Sequence, residues 1–390
     1  MSFTFFYNRL SFWLLVIFIA ALLIQLCVHW IRFSRLAFTK QRPHAKLDTD
    51  LEPVSVVVCA RDAYERLTEL LPALLNQDYP DFEVVVVNDC SDDETGTYLE
   101  DLERREPRIK PVQLRQHLNF FNGKKYPLSL GIKSASHDLL VFTDADCLPT
   151  SNQWLRSVVG CYDESTEIVV GYAPYVPAKG LLNQMVRFDA LQQAFLYLSA
   201  ALAGKPYAGI GKNLSYRQRL FFNQKGFTSH YTMEAGDDDL FVNQAATRKN
   251  TEVHIDADNT VQCAAPSSFG GWMRRQISRY TTLKLYRFGA RAFAALHYGS
   301  QLLFYACFIA LCCLPPAFGL SLDVPYAAYY FPTLAVLFLL RYVSQLFLYR
   351  GASRRLGEHG LLPGLILWDF LFAILTPLLR LSGKLGAVHN

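Results

Sequence analysis

Four long apolar segments are the feature of this sequence that most limits its fold. The first, residues 12–31, runs for about twenty positions without an acidic or basic side chain, which is long enough to cross a bilayer. It has no small-residue cleavage site and is longer than a signal-peptide core, so we interpret it as an uncleaved anchor. The other three lie at about 299–320, 326–349 and 361–381.

The charge of the chain lies mostly between these apolar segments. Residues 50–290 are therefore predicted to form a soluble domain. Residues 1–49 are predicted to be an N-terminal transmembrane anchor with a basic juxtamembrane segment, and residues 291–390 to form about three C-terminal transmembrane helices.

Basic residues next to the apolar segments predict the orientation of the chain. Cytoplasmic flanks of membrane helices are enriched in Lys and Arg, whereas the loop 321–326 between the second and third segments contains neither. The soluble domain is therefore predicted to be cytoplasmic, in a multi-pass protein of the cell (inner) membrane. The basic residues after the first segment and between the third and fourth are Arg32, Arg35, Lys40, Arg42, Lys46, Arg350, Arg354 and Arg355.

The last apolar segment allows two placements. It contains Trp368, Asp369 and Arg380, and Lys384 follows it. If the segment crosses the bilayer, the two cations lie outside the cell; if it lies along the membrane surface, they stay inside. Ionisable residues at membrane depth seek partners, so we predict that Asp369 approaches Arg341 of the third segment.

Charge and cysteine content exclude some partners and chemistries. The net charge is +4, and its concentration at the membrane junctions indicates anionic lipid headgroups rather than nucleic acid. The nine cysteines include no Cys-x-x-Cys pair. Thiols of a cytoplasmic domain stay reduced, so the cysteines are predicted to behave as small hydrophobic residues. Those of the middle domain are Cys59, Cys90, Cys147, Cys161 and Cys263.

Strand and helix patterns alternate along the middle of the chain. Continuous apolar runs at 54–60 and 82–87 are typical of strands buried on both faces, and further strands are predicted at 109–114 and 139–143. Segments with helical spacing separate them. This alternation predicts an α/β fold with a mostly parallel sheet and helices on both faces.

Acidic side chains follow three of these strands where each one ends: Asp62, Asp89, and the pair Asp144 and Asp146. Ligands of a parallel sheet bind beyond the carboxyl ends of its strands. An Asp-x-Asp pair alone is often only a capped turn, but its place beside two other acidic strand ends favours a site. The sequence has no Gly-rich phosphate loop, and Mg²⁺ or Mn²⁺ on an Asp-x-Asp is another way to hold a diphosphate.

Later segments carry further polar groups. The stretch "YAGIGKNLSYRQ" (207–218) has glycines that let backbone approach a bound group. The stretch "GDDDL" (236–240) sets three acids before an apolar helix. Acids at a helix start are often caps, which we accept for Asp238 and Asp239, whereas a third acid could be a general base.

Two further segments allow functional and structural interpretations. Residues 180–204 form either an amphipathic interfacial helix that guides a membrane-borne acceptor or an ordinary core helix. The stretch 272–288, "WMRRQISRYTTLKLYRF", mixes cations and aromatic residues. We assign Arg274, Arg275, Lys284 and Arg287 to a membrane-facing basic belt, but not Gln276, Arg279 and Tyr280.

The ordered set of "ARD", "NDCSDDET", "NGKKYPLSLGI", "TDADC", "GKNLSYR", "GDDDL" and "QISRY" resembles the membrane-bound family 2 glycosyltransferases of the cellulose and hyaluronan synthase type. The match covers about 54–287, with membrane helices on both sides. The resemblance implies a GT-A fold and a metal-dependent, inverting transfer from a nucleotide-diphosphate sugar. It also implies roles for individual residues.

These roles are carried over position by position. Ala60, Arg61 and Asp62 would line the nucleotide site, Asp89 would bind the base, and Lys124 would lie near the diphosphate. Asp144 and Asp146 match the Asp-x-Asp, with Asp146 the more direct metal ligand. Asp237 matches the general base, and Gln276, Arg279 and Tyr280 match the element that holds the diphosphate and the acceptor.

Three positions depart from the family pattern: Asn88 replaces an Asp, Gly236 replaces a Glu, and Tyr280 replaces a Trp. These departures put long-polymer synthesis in doubt, and addition of one or a few sugars to a lipid or glycan is the other expectation.

The predicted function is a membrane-bound inverting glycosyltransferase. Its donor would be a UDP- or GDP-sugar, its cofactor Mg²⁺ or Mn²⁺, and its acceptor the hydroxyl of a lipid or glycan. A nucleotidyltransferase also uses acidic strand ends but needs a Gly-rich basic loop after its first strand, which "CARDAYERL" does not supply. A catalytically inactive membrane scaffold is the non-enzymatic alternative, and the intact acidic motifs argue against it.

Overall fold

The computed structural model describes residues 2–40, 51–115, 123–317 and 324–386. Arg42 and Lys46 of the predicted basic flank, and 321–323 of the predicted loop, lie outside the described residues.

Helices form both ends of the chain and surround the middle. The helices are α1 Ser2–Cys27, α2 Ser34–Phe38, α3 Tyr64–Leu75, α4 Thr95–Glu103, α5 Lys125–Ser134, α6 Trp154–Val159, α7 Leu181–Leu202, α8 Gln218–Asn223, α9 Asp239–Ala245, α10 Phe269–Thr281, α11 Phe288–Ala317, α12 Val324–Arg355 and α13 Leu365–Gly386. A π-helical turn, Val28–Phe33, joins α1 to α2.

The strands of the middle domain form a seven-stranded sheet and a small two-stranded one. The strands are β1 Val54–Ala60, β2 Phe82–Asp89, β3 Ile109–Leu114, β4 Leu139–Asp144, β5 Cys147–Pro149, β6 Ile168–Gly171, β7 Leu214–Arg217, β8 Thr251–His254 and β9 Val261–Cys263. The large sheet has the order β3-β2-β1-β4-β7-β6-β8, and β7 is its antiparallel strand. The predicted mostly parallel α/β fold is confirmed.

The register of the sheet brings the predicted strand ends together. Ala60 at the end of β1 lies beside Asn88 of β2, and Cys59 lies beside Asp144 of β4. The β-branched side chains of β1 and β2 are buried on both faces, so the polar residues become accessible only where the apolar runs stop. This edge holds the candidate site.

Four helices of the described chain are long and apolar enough to cross a membrane: Leu10–Phe38, Phe288–Cys313, Tyr329–Arg355 and Leu362–Ser382. They correspond to the four apolar segments of the sequence. The helix α7 is buried over most of its length and packs against this group, since Phe195 stacks on Tyr349 of α12 at 4.4 Å. The core-helix interpretation of 180–204 is therefore the correct one.

The last helix, α13, contacts both the middle domain and the apolar helix α12. One face contacts the middle domain, where Phe372 packs on Phe188 of α7 at 5.8 Å. Near its end, the Arg380 guanidinium lies 5.7 Å from the ring of Tyr280 in α10. One turn before Phe372, Asp369 contacts Arg341 of α12, with 2.7 Å between the carboxylate and the guanidinium. The predicted approach of these two residues is confirmed.

Candidate active site

The end of β4 and the start of α5 form the centre of the site. Lys124 precedes α5, and its Nζ lies 2.7 Å from Oδ1 of Asp144, the last residue of β4. Burial favours the protonated form of Asp144, but Lys124, Lys212 and Arg275 outweigh it and lower the pKa of this carboxyl to about 2. Asp144 is therefore ionised at neutral pH, as a cation ligand must be.

Asp146 is surrounded by two cations that the sequence did not assign to it. Lys212 Nζ lies 3.4 Å from Oδ1 of Asp146, and a guanidinium nitrogen of Arg275 lies 3.8 Å from its Oδ2. The same two cations lower the pKa of Asp144, so the carboxylates of the Asp-x-Asp share one electrostatic environment. The prediction that Arg275 belongs to a membrane-facing belt is wrong, because its side chain reaches the strand edge.

Arg287 also departs from that predicted belt. Its guanidinium donates to the backbone carbonyls of Ala246 and Pro206. The side chain thus holds the middle domain against the start of α11, and a membrane-facing position is excluded. Sequence composition does not distinguish an arginine that faces the membrane from one that donates to backbone carbonyls.

The small sheet places two cysteines beside the Asp-x-Asp. Cys147 on β5 lies directly opposite Cys263 on β9, and the two form a disulfide. The prediction that these cysteines are reduced, unpaired side chains is wrong in this structure. No sequence pattern predicts this pairing, because the two positions are 116 residues apart and are brought together by the antiparallel β5–β9 contact.

The ends of β1 and β2 form the rim of the site. Asp62 has a positive φ of 47° and Cys90 one of 53°, a backbone conformation that is uncommon for residues other than glycine. Asp62 accepts a hydrogen bond from the backbone N–H of Asp92 at 2.9 Å, which ties the two strand ends together. Ala60 is buried, Arg61 is exposed beside Asp62, and Asp89 is partly exposed at the end of β2.

A solvent-open pocket of about 380 Å³ joins this edge to the acidic stretch before α9. Its lining includes Lys124, Asp144, Gly211, Asp237 and Asp238. Burial and the neighbouring Asp238 raise the pKa of Asp237 to about 7, against the lowering effect of Lys124. A carboxyl group with a pKa near neutrality is suited to accept a proton in a reaction at that pH.

The two acids after Asp237 have structural partners. Asp238 caps α9 by accepting from the Asp239 N–H at 2.6 Å, and it also accepts from the Gly211 N–H at 2.8 Å. Asp239 accepts from the hydroxyls of Thr282 and Tyr286, each at 2.6 Å. The capping interpretation is confirmed for Asp238, which leaves Asp237 as the acid without a capping role.

The α10 residues predicted at the diphosphate and acceptor have different environments. The Gln276 amide donates to Asp189 of α7 at 2.7 Å, and the Tyr280 hydroxyl accepts from Gln193 at 3.4 Å. Within the described chain, Arg279 has no hydrogen-bond or ion-pair partner, although Asp189 and Asp239 both stabilise its charge. Gln276 and Tyr280 thus fix α10 against α7.

The donor set at the end of β4 fits a hard divalent cation. Asp144 and Asp146 supply carboxylate oxygens, the ligands that Mg²⁺ and Mn²⁺ prefer. The Lys212 and Arg275 contacts to Asp146, at 3.4 and 3.8 Å, are too long to be strong hydrogen bonds. The nearby sulfur atoms of Cys147 and Cys263 are bonded to each other and offer no thiolate ligand.

The mostly parallel sheet with one antiparallel strand is that of a GT-A-like nucleotide-diphospho-sugar transferase fold, as the likeness to a solved structure given below also shows. Residues 55–227 match the family model of glycosyl transferase family 2.

Relatives and solved structures agree with this assignment. An uncharacterized glycosyltransferase of Haemophilus influenzae is 30% identical over 32% of this chain and 36% of its own length. The probable glycosyltransferase YdaM of Bacillus subtilis is 29% identical over 42% of this chain and 39% of its own length. The chain thus spans less than half of each of these relatives.

A solved structure extends the likeness of fold to most of the chain. The mannosyltransferase PcManGT from Pyrobaculum calidifontis superposes with a TM-score of 0.55 and 19% identity, over 89% of this chain and 99% of that one. At this level of identity the likeness is one of fold.

Proposed function

We propose that the protein is a membrane-bound inverting glycosyltransferase. It transfers a sugar from a nucleotide-diphosphate donor to the hydroxyl of a lipid or glycan acceptor. The observation that supports this proposal is a pocket whose lining includes Asp237, Lys124 and Asp144. The carboxyl group of Asp237, with a pKa of about 7, thus lies beside the strand end at which we expect the sugar donor.

Asp237 is the general base of the proposed reaction. Its carboxylate takes the proton from the acceptor hydroxyl as the oxygen attacks the anomeric carbon, and the nucleoside diphosphate leaves from the opposite face. Proton removal by a well-placed base contributes roughly 10²–10⁴-fold to the rate. The configuration at the anomeric carbon is inverted because attack and departure occur on opposite faces.

The donor lies along the strand ends in this proposal. Asp62 and Asp89 at the ends of β1 and β2 bind the nucleoside, and Arg279 approaches the diphosphate. Asp144 and Asp146 would hold Mg²⁺ or Mn²⁺, which when bound neutralises charge on the leaving diphosphate. The Pyrobaculum calidifontis neighbour is in complex with GDP-Man and Mn²⁺, which supports a donor and cation of these kinds.

The membrane helices favour an acceptor that is held at the bilayer. The middle domain packs on the apolar helices α12 and α13 through α7, and on α13 through α10, which supports an acceptor that reaches the pocket from the membrane side. We place the sheet domain in the cytoplasm, on the basic flank residues described above.

A donor screen tests the proposal. The detergent-purified full chain is incubated with UDP- and GDP-sugars and Mn²⁺, and released nucleoside diphosphate is measured. We expect release with one donor class and a loss of about 10²–10⁴-fold in Asp237→Asn. The matched control Glu100→Gln alters an exposed carboxylate of α4 and should leave the rate unchanged.

The outcome that contradicts the mechanism is an Asp237→Asn rate within about threefold of wild type, since a general base contributes far more than this. Product NMR provides a second check, because retention of the donor's anomeric configuration would refute inversion. A folded wild-type protein that binds labelled nucleotide yet turns over no donor would favour the alternative of a catalytically inactive scaffold.

A further inference from the structure

The lysine that follows Lys124 is buried and has no role in the proposed chemistry. Lys125 begins α5, is 2% exposed and does not line the pocket. Lysine is almost never fully buried without a paired charge. Within the described residues, however, the Lys125 ammonium forms no ion pair with a carboxylate.

All three ammonium hydrogens of Lys125 are directed to backbone oxygens of one loop. Nζ donates to the carbonyls of His230, Met233 and Ala235 at 2.7, 2.8 and 2.7 Å. Charged donors form the stronger class of hydrogen bond, and an ammonium has three donors and no acceptor. The Lys125 side chain is therefore fully used in fixing this loop.

The loop leads directly into the proposed general base. Residues 231–236 form turns without strand pairing, so their carbonyls need partners from elsewhere. His230 contributes one internal bond, from Nε2–H to the Gly236 carbonyl at 2.9 Å. The three bonds from Lys125 are the main link between this irregular segment and a regular helix.

Gly123, two residues before Lys125, also lies against this loop. It has a φ of +77°, and a Cβ at this position would lie 2.2 Å from the Glu234 carbonyl oxygen. The backbone before α5 thus lies against the loop, which only glycine permits here. Gly123 and Lys125 together form one wall of residues 230–236.

Consecutive lysines connect the two acidic sites. Neighbouring helix residues point in directions about 100° apart, so Lys124 reaches Asp144 while Lys125 reaches the loop. The carboxylates of Asp237, Asp239 and Asp238 also stabilise the Lys125 ammonium against its burial. One helical turn therefore contacts both the end of β4 and the segment that delivers Asp237.

We propose that Lys125 is a positioning residue for the general base. Its ammonium holds the backbone of 230–236 and thereby sets the place of the Asp237 carboxylate relative to the acceptor hydroxyl. The kinetic part of this inference rests on the proposed function; the structural part, that Lys125 orders the loop, does not.

The test combines hydrogen–deuterium exchange with kinetics on the full chain in detergent. In Lys125→Met we expect peptides covering 229–238 to exchange at least about tenfold faster. We also expect kcat to fall about 10²-fold, the usual cost of misplacing a reacting group by an ångström, with the donor KM within about twofold. Lys125→Arg should restore part of both. Lys133→Met, at an exposed lysine of the same helix, is the control.

The outcomes distinguish a failure of the Lys125 proposal from a failure of the proposed glycosyltransferase function. Unchanged exchange in Lys125→Met overturns the loop role even if no donor is ever found. Faster exchange with an unchanged kcat overturns the positioning role. If Lys125→Met does not fold, Gly123→Ala perturbs the same loop, because the added Cβ would meet the Glu234 carbonyl oxygen. Exchange of 229–238 equal to wild type in this variant would again refute the proposal.

Discussion

The buried ion pair between the last two apolar helices gives a quantitative prediction about stability. The Asp369 carboxylate accepts from Arg341 at 2.7 Å and Tyr305 at 2.6 Å through one oxygen, and from Gln301 at 2.8 Å and Gln345 at 2.6 Å through the other. The side chains of Arg341 and Asp369 are 3% and 2% exposed. Among the described residues, each of these two charges has its ion-pair partner in the other.

Replacement of Arg341 by Leu leaves the Asp369 charge buried among three neutral donors. Removal of one partner of a buried pair costs about 3–5 kcal/mol, and the three remaining donors favour the lower end of this range. The double variant Arg341→Leu/Asp369→Asn removes both charges, while the Asn oxygen can still accept from Gln301 and Gln345. Interhelical hydrogen bonds in membranes contribute about 0.6 kcal/mol each, so loss of the other two costs about 1 kcal/mol.

The assay is reversible unfolding of the full chain in mixed micelles, followed by circular dichroism. We expect Arg341→Leu to be less stable than the double variant by about 2 kcal/mol or more. Arg350→Leu, at an exposed arginine of the same helix, should unfold like wild type. Equal stability of the single and double variants would refute the reasoning, because it would mean that no uncompensated charge is left behind.

Four further predictions concern the site and the topology. Because Asp237 must be ionised to act as a base, kcat/KM should rise with pH to a plateau, with a midpoint near its pKa of about 7; a flat profile from pH 5.5 to 8.5 would count against it. The same raised pKa means that ionisation costs stability as pH rises, so Asp237→Asn should gain thermal stability over wild type at pH 8 and not at pH 4. Cys263→Ser should raise the Mn²⁺ concentration needed for half-maximal nucleotide release severalfold, since the disulfide adjoins Asp146, whereas Cys161→Ser should not. The His359 carbonyl, before α13, accepts from Arg187 of the middle domain, and Arg380 near the end of α13 lies 5.7 Å from the ring of Tyr280. A fluorescent protein fused after residue 390 should therefore fluoresce in the cytoplasm, and an active alkaline phosphatase fusion there would show that the helix crosses.

The sheet and its acidic edge could be predicted because their signals are local in sequence. A strand buried on both faces is a continuous apolar run, and the run 54–60 predicts β1 with the observed bounds. The bounds predicted for the half-buried strand 109–114 also agree. A carboxylate directly after such a run marks the edge where ligands bind. Asp62, Asp89 and Asp144 were found in this way, by position alone.

The surroundings of these acids could not be predicted, because they depend on contacts between distant segments. Arg275 lies in a stretch that reads equally well as a membrane-facing belt, and only the packing of α10 on the domain brings it to Asp146. Lys125 lies next to a lysine with an evident role, and its three carbonyl partners carry no sequence signal. The disulfide depends on a two-stranded pairing too short to be predicted.

The position of α13 has a consequence for the biosynthesis of the protein. Phe372 packs on the middle domain while Asp369, three residues earlier, contacts α12. Until this segment has left the ribosome, Phe188 of α7 lacks its contact with Phe372, and Arg341 of α12 lacks its carboxylate partner. The packing of the middle domain on α12, which α7 contacts directly through Phe195 and Tyr349, is therefore completed only after α13 has been synthesised.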